Sequence, residues 1–181
     1  MAALDGKNVL VIATNYGVEQ DEIVVPTEQL RERGATVTVA GQESGEIQTL
    51  VGDKDPGKTV SVDTTIGSVS GVGDYDVLVV PGGTINADTI RQDSDAVALV
   101  KAFADAGKPV AAICHGPWTL VEAGLLSGKT ITSFPSLQTD IRNAGAEWVD
   151  QEVQVDGGFI TSRNPGDLPA FVDAIEQSLT A

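Results

Sequence analysis

Three short stretches of this 181-residue chain are nearly unbroken runs of small and β-branched apolar residues: KNVLVIAT (7–14), YDVLVVPGG (75–83) and KPVAAIC (108–114). A strand wetted on one face alternates apolar and polar side chains. A strand covered on both faces reads as a continuous apolar run, which is the habit of buried parallel strands. ATVTVAG (35–41) adds a second strand in chain order and KTITSF (129–134) a fifth, with EVQVDG and GFITSR as further candidates joined by a hairpin-like turn.

Helical patterns separate these runs. DEIVVPTEQLRER (21–33) has acids at its start and arginines at its end, matching the helix dipole, and Gly34 stops it. Pro26 is expected to kink or restart that helix. A long helix is expected over 87–107, broken near Asp93, then shorter ones over 116–124, with Pro117 early, and near 137–144. An amphipathic helix over 167–179 closes the chain. The turn-rich stretch 42–74, centred on GDKDPGK, reads as a small antiparallel excursion rather than a domain boundary. The expectation is one α/β domain over residues 1–181. It is a flavodoxin-like three-layer sandwich with helices on both faces of a mostly parallel sheet.

Charge narrows the function classes. Twenty-six Asp and Glu against eleven Lys and Arg give a net charge of −15. Such a surface repels phosphate backbones, so neither nucleic acid nor an anionic membrane is expected as partner. The acids are scattered, and so few lysines in a chain able to build a core fit a salt-rich cytosol, where counterions screen self-repulsion. The run VLVIA near the N-terminus is too short for a signal peptide or a membrane span, so a cytoplasmic location is expected. One cysteine and one histidine make neither a disulfide nor a zinc cage, so no metal or cofactor is expected.

In open α/β sheets ligands bind at the carboxyl ends of the strands. Cys114, the only cysteine, falls between a strand and a helix in AAICHGP, with Ala112 two before it and Gly116 two after. Only small residues fit beside a sharp strand–nucleophile–helix turn, and a helix start favours a thiolate. His115, the only histidine, is either a base or a helix-start residue bonded locally. Directly following Cys114 on a tight turn, it is expected to point aside. Gly82 and Gly83 make a tight turn whose N–H groups can also line an oxyanion hole. Glu19, after the first strand, is either a solvated helix-start acid or a carboxyl that hydrogen-bonds the sulfur.

These residues, with GVEQDE, VVPGG, NAGAEWVD and SRNPGDLPAF, make the chain resemble the PfpI family of intracellular cysteine hydrolases nearly end to end. That family lies within the glutamine-amidotransferase-like superfamily. The resemblance implies Cys114 as nucleophile, Glu19 as the protonated carboxyl beside it, and the backbone of Gly83 and His115 as oxyanion donors. It implies that His115 pairs with an acid of a neighbouring subunit, here Asp88, and hence a homodimer or a larger assembly of dimers. Where members often carry TSYP this chain has TSFP, so Phe134 lacks a hydroxyl near the site. The implied activity is stress-protective deglycation or glyoxalase chemistry on methylglyoxal or glyoxal adducts. The alternatives are an intracellular cysteine peptidase on peptide substrates and a non-catalytic redox sensor or holdase.

Overall fold

The computed structural model describes residues 2–181. In chain order the elements are β1 (Asn8–Ile12), β2 (Tyr16–Glu19), α1 (Gln20–Glu32), β3 (Thr36–Gly41), β4 (Glu46–Val51), β5 (Asp55–Ser61) and β6 (Thr64–Thr65). There follow β7 (Val77–Val80), α2 (Thr84–Ile90), α3 (Ser94–Asp105), β8 (Val110–Ile113), α4 (Pro117–Glu122) and β9 (Thr130–Ile131). The chain ends with α5 (Gln138–Asn143), β10 (Glu147–Trp148), β11 (Gln154–Asp156), β12 (Phe159–Ser162) and α6 (Leu168–Thr180).

The main sheet has the order β11-β12-β8-β7-β1-β3-β6. Its pairings are parallel except β11 with β12. The apolar runs predicted to be covered on both faces are its central strands. Val9 pairs with Val37 on one side and Val77 on the other.

Period-two alternation divides each run between two cores. Val9, Val11, Val79, Ala111 and Ile113 pack with Ile23 of α1 and with Phe171 and Ile175 of α6. Leu10, Ile12, Leu78, Val80 and Ala112 pack with Val100 and Phe103 of α3, Leu120 of α4 and Ile141 of α5. Helices therefore cover both faces of a mostly parallel sheet, as the alternation of elements predicted. Each fully buried Val, Leu or Ile contributes roughly 1.5–3 kcal/mol of transfer free energy, so these strands anchor the loops at their carboxyl ends.

Several elements differ from expectation. Pro26 does not restart α1, which runs as one helix from Gln20 to Glu32. Its ring is buried on the same face as Glu22, Ile23, Thr27 and Leu30, the helix losing one backbone hydrogen bond there. The predicted break at Asp93 is real. Asp93 caps α3, its carboxylate accepting from the N–H groups of Asp95 and Ala96. The excursion over 42–74 holds the antiparallel pair β4–β5, but β2 joins it in parallel to make a separate three-stranded sheet.

The fifth strand shrinks to Thr130–Ile131 and pairs with β10 outside the main sheet. The reason is that residues 132–134 bond to the sheet end instead. Thr132 N–H donates to Thr161 Oγ1 (3.0 Å) and Phe134 N–H to the Cys114 carbonyl (2.8 Å).

Candidate active site

β8 ends at Ile113 and α4 begins at Pro117, leaving Cys114, His115 and Gly116 to reverse the chain. Cys114 sits at φ +62°, one of two non-glycine residues in the left-handed region among the described residues. A cysteine there is strained, and such strain is held only where the surroundings over-determine it. The surroundings do. Cys114 N–H donates to the Ser162 carbonyl and Gly116 N–H to that of Ile113. A Cβ on Gly116 would lie 2.5 Å from the Val80 carbonyl oxygen, and one on Gly82 would lie 2.9 Å from Cys114 Cβ. Approaches this close admit only glycine.

The left-handed residue breaks the alternation that would send neighbouring side chains to opposite sides. His115 therefore does not point aside: its Nδ1 lies 3.1 Å from Cys114 Sγ. The imidazole is buried, stacked on Phe134 (centroids 4.6 Å apart, 23° between planes) and edge-on to Trp118. Its Nε2 lies 3.3 Å from Thr84 Oγ1 and 3.4 Å from Ser136 Oγ. Burial pulls its pKa below the usual histidine value, against the upward pull of Asp53.

The carboxyl that meets the thiol belongs to Glu22, and the place expected for Glu19 is corrected accordingly. Glu22 is fully buried, and its Oε2 accepts the Gly82 N–H at 2.7 Å. The Glu22 carboxyl lies beside the Cys114 side chain across Gly82, and its Oε1 has no hydrogen-bond partner among the described residues. Burial above all, with the negative charges of Glu19 and Asp53, pushes the Glu22 pKa up to about 8. At neutral pH it is therefore a neutral acid able to donate a proton to sulfur. Burial, then Glu22, pushes the Cys114 thiol upward, while the backbone N–H groups of Gly83 and His115 pull it down.

Glu19 lies at the strand-to-helix junction, one turn before Glu22. Its carboxylate accepts instead from the N–H groups of Gly52 (3.0 Å) and Asp53 (3.3 Å). A signal for Glu22 was present in the sequence: the buried stripe of α1 is Glu22, Ile23, Pro26, Thr27 and Leu30. An acid on an apolar stripe at helical spacing is buried for a reason.

The glycines also divide. The N–H groups of Gly82 and Gly116 are committed to Glu22 and Ile113, so neither is free to bind an oxyanion. Gly83, at φ +83°, keeps its N–H for the sulfur side, beside that of His115. Asp88 is exposed on α2, outside the chain's own site. Sequence reasoning missed Asp53 and Thr84. Thr84 donates its N–H (2.8 Å) and hydroxyl (2.6 Å) to the two oxygens of the Asp53 carboxylate. Glu19, Glu22, Gly52, Asp53, Gly83, Cys114, His115, Phe134 and Pro165 enclose a cavity of about 250 Å³. Among the described residues no cluster of three His, Cys, Asp or Glu could hold a metal, and no helix is long and apolar enough to cross a membrane.

A buried cysteine–histidine–glutamate site at the carboxyl edge of a parallel α/β sheet defines the class of protein. The chain belongs to the DJ-1/PfpI family, whose model matches residues 7–177. It is 41% identical to a deglycase of Thermococcus kodakarensis over 91% of this chain and 94% of that protein. It is 40% identical to general stress protein 18 of Bacillus subtilis over 92% of this chain and 94% of that protein. The crystal structure of Drosophila melanogaster DJ-1beta superposes with a TM-score of 0.87 at 32% identity, covering 96% of this chain and 90% of that one.

Proposed function

We propose that the protein is a cysteine-dependent hydrolase of the deglycase and glyoxalase type, acting on small dicarbonyls such as methylglyoxal or on their adducts with proteins. The observation that carries this reading is the small cavity built on one thiol, with an imidazole nitrogen 3.1 Å from sulfur and a buried neutral carboxyl beside it. About 250 Å³ suits a three-carbon dicarbonyl or the adduct end of a side chain, and it is small for an extended peptide.

The chemistry follows from the geometry. His115, neutral because it is buried, takes the thiol proton through Nδ1, and Glu22 donates to the resulting thiolate. Sulfur adds to the aldehyde carbon of methylglyoxal, and the Gly83 and His115 N–H groups hold the oxyanion. A proton shift from the former aldehyde carbon to its neighbour turns the hemithioacetal into a thioester. Water then releases lactate and returns the thiol.

Two further parts of the reading concern the whole chain. Its acidic surface fits a salt-rich cytosol, and the homo-oligomer that would bring Asp88 to a neighbouring site requires a second copy of the chain.

Wild type and Cys114→Ser, incubated with methylglyoxal, a glycated peptide and an unfolded protein, test the central claim. Wild type is expected to consume the first two and the mutant none. Equal behaviour of the pair on all three substrates ends the hydrolase reading. Cleavage of the unfolded protein alone would make the chain a peptidase. Oxidation-dependent binding without turnover would make it a sensor or holdase.

A further inference from the structure

We propose that Asp53 and Thr84 of the same chain are positioning residues for His115, forming a relay Asp53–Thr84–His115–Cys114 that sets which imidazole nitrogen carries the proton and leaves Nδ1 bare towards the thiol. This rests on His115 acting as the base, as proposed above. The hydroxyl of Thr84 is 2.6 Å from Asp53 Oδ2, and a carboxylate can only accept, so the hydroxyl proton lies between them. Thr84 Oγ1 is then left with lone pairs towards His115 Nε2 at 3.3 Å. An acceptor at Nε2 keeps that nitrogen protonated, and the neutral ring presents a bare Nδ1 to Sγ, 3.1 Å away. When Nδ1 takes the thiol proton, the positive ring faces Asp53 through one hydroxyl. Ser136 Oγ, at 3.4 Å, is the other hydroxyl at Nε2, and among the described residues no acid bonds to it as Asp53 does to Thr84.

The Asp53 turn is built for this position. Asp53 holds φ +57°, a conformation that aspartate tolerates better than most residues, and the Glu19 carboxylate pins it through the N–H groups of residues 52 and 53. The relay thus gives Glu19 a task one step removed from the thiol. Asp53 comes from the loop between β4 and β5, Thr84 from the start of α2 and His115 from the turn before α4, so three separate elements close the chain of contacts.

The other charged groups around the imidazole are placed differently. Glu22 faces the thiol, Asp140 accepts from Trp118 Nε1 (2.8 Å), and Arg91 lies over the Trp118 ring.

Because the chain has one cysteine and one histidine, both ends of the relay can be read without turnover. Imidazole ¹⁵N shifts report the tautomer, and iodoacetamide alkylation against pH reports the thiolate. Wild type is expected to show the Nε2–H form. Thr84→Val, which keeps shape and backbone, should lose that preference and slow alkylation at neutral pH by about tenfold, the order of one lost hydrogen bond to a charged group. Thr84→Ser should restore both. Asp53→Asn keeps an acceptor for the Thr84 N–H but removes the charge, so the acid limb of the profile should move to lower pH.

The proposal is overturned if Thr84→Val and Asp53→Asn keep the wild-type tautomer and profile. It is equally overturned if Val and Ser at position 84 slow alkylation alike with no shift along the pH axis, or if Asp88→Ala moves the limb and Asp53→Asn does not. An intact shift in a protein that consumes no dicarbonyl would remove the proposed function and leave the relay standing.

Discussion

At the scale of single residues the site depends on a carboxyl kept neutral by burial. Glu22 is raised from 4.5 to about 8, so between those values the folded chain holds a proton that the unfolded chain has lost. Its stabilising contribution is full below about 4.5 and is lost as pH rises through about 8, at about 1.4 kcal/mol per pH unit. Glu22→Gln carries no proton to lose, and thermal melts from pH 5 to 8 should show wild type falling relative to it. The same variant still has a neutral donor for sulfur and an acceptor for the Gly82 N–H, so alkylation should stay within a few-fold of wild type. Glu22→Leu orphans that N–H and should cost about 1–3 kcal/mol of stability, read by denaturant titration. Glu19 and Glu22 look alike in GVEQDE. Which one enters the core depends on where α1 begins, and one residue of uncertainty at a helix start exchanges a cap for a buried position.

At the scale of elements, the turn between β8 and α4 works because its neighbours leave no room for side chains. Gly116→Ala would drive a Cβ to 2.5 Å from the Val80 carbonyl oxygen. The expected cost is about 1–3 kcal/mol, from overpacking against backbone that cannot move away, and denaturant titration measures it. Alkylation of Cys114 should fall in parallel, since the same shift displaces the thiol. The AxCxG spacing makes this turn readable from the sequence. It did not reveal that Cys114 would sit at φ +62° and so direct the neighbouring imidazole to the thiol. The shortened β9 was unreadable for a similar reason. KTITSF has strand character throughout, yet hydrogen bonds to Thr161 and Cys114 draw its second half over the sheet end.

Across the whole molecule, charge is the least satisfied quantity. Arg31, Arg33, Arg91 and Arg163 pair with acids, and far more acids than these face solvent. Surface pairs of this kind contribute little each, so the self-repulsion of a −15 chain is left to counterions. Melting temperature should therefore rise with KCl into the molar range. A flat response would remove the salt-adapted reading.

The layered fold, the strands at its centre, the break at Asp93 and the presentation of Cys114 were determined by the sequence alone. Hydrophobic periodicity and steric need at a sharp turn are local properties, written in neighbouring residues. The tertiary structure decided that Glu22 rather than Glu19 meets the thiol, that Gly82 and Gly116 have no N–H to spare, and that Asp53 reaches His115 through Thr84. Those contacts join residues 31 to 60 or more positions apart. Their partners are chosen by which loop ends the sheet gathers at one edge, and no local pattern carries that information.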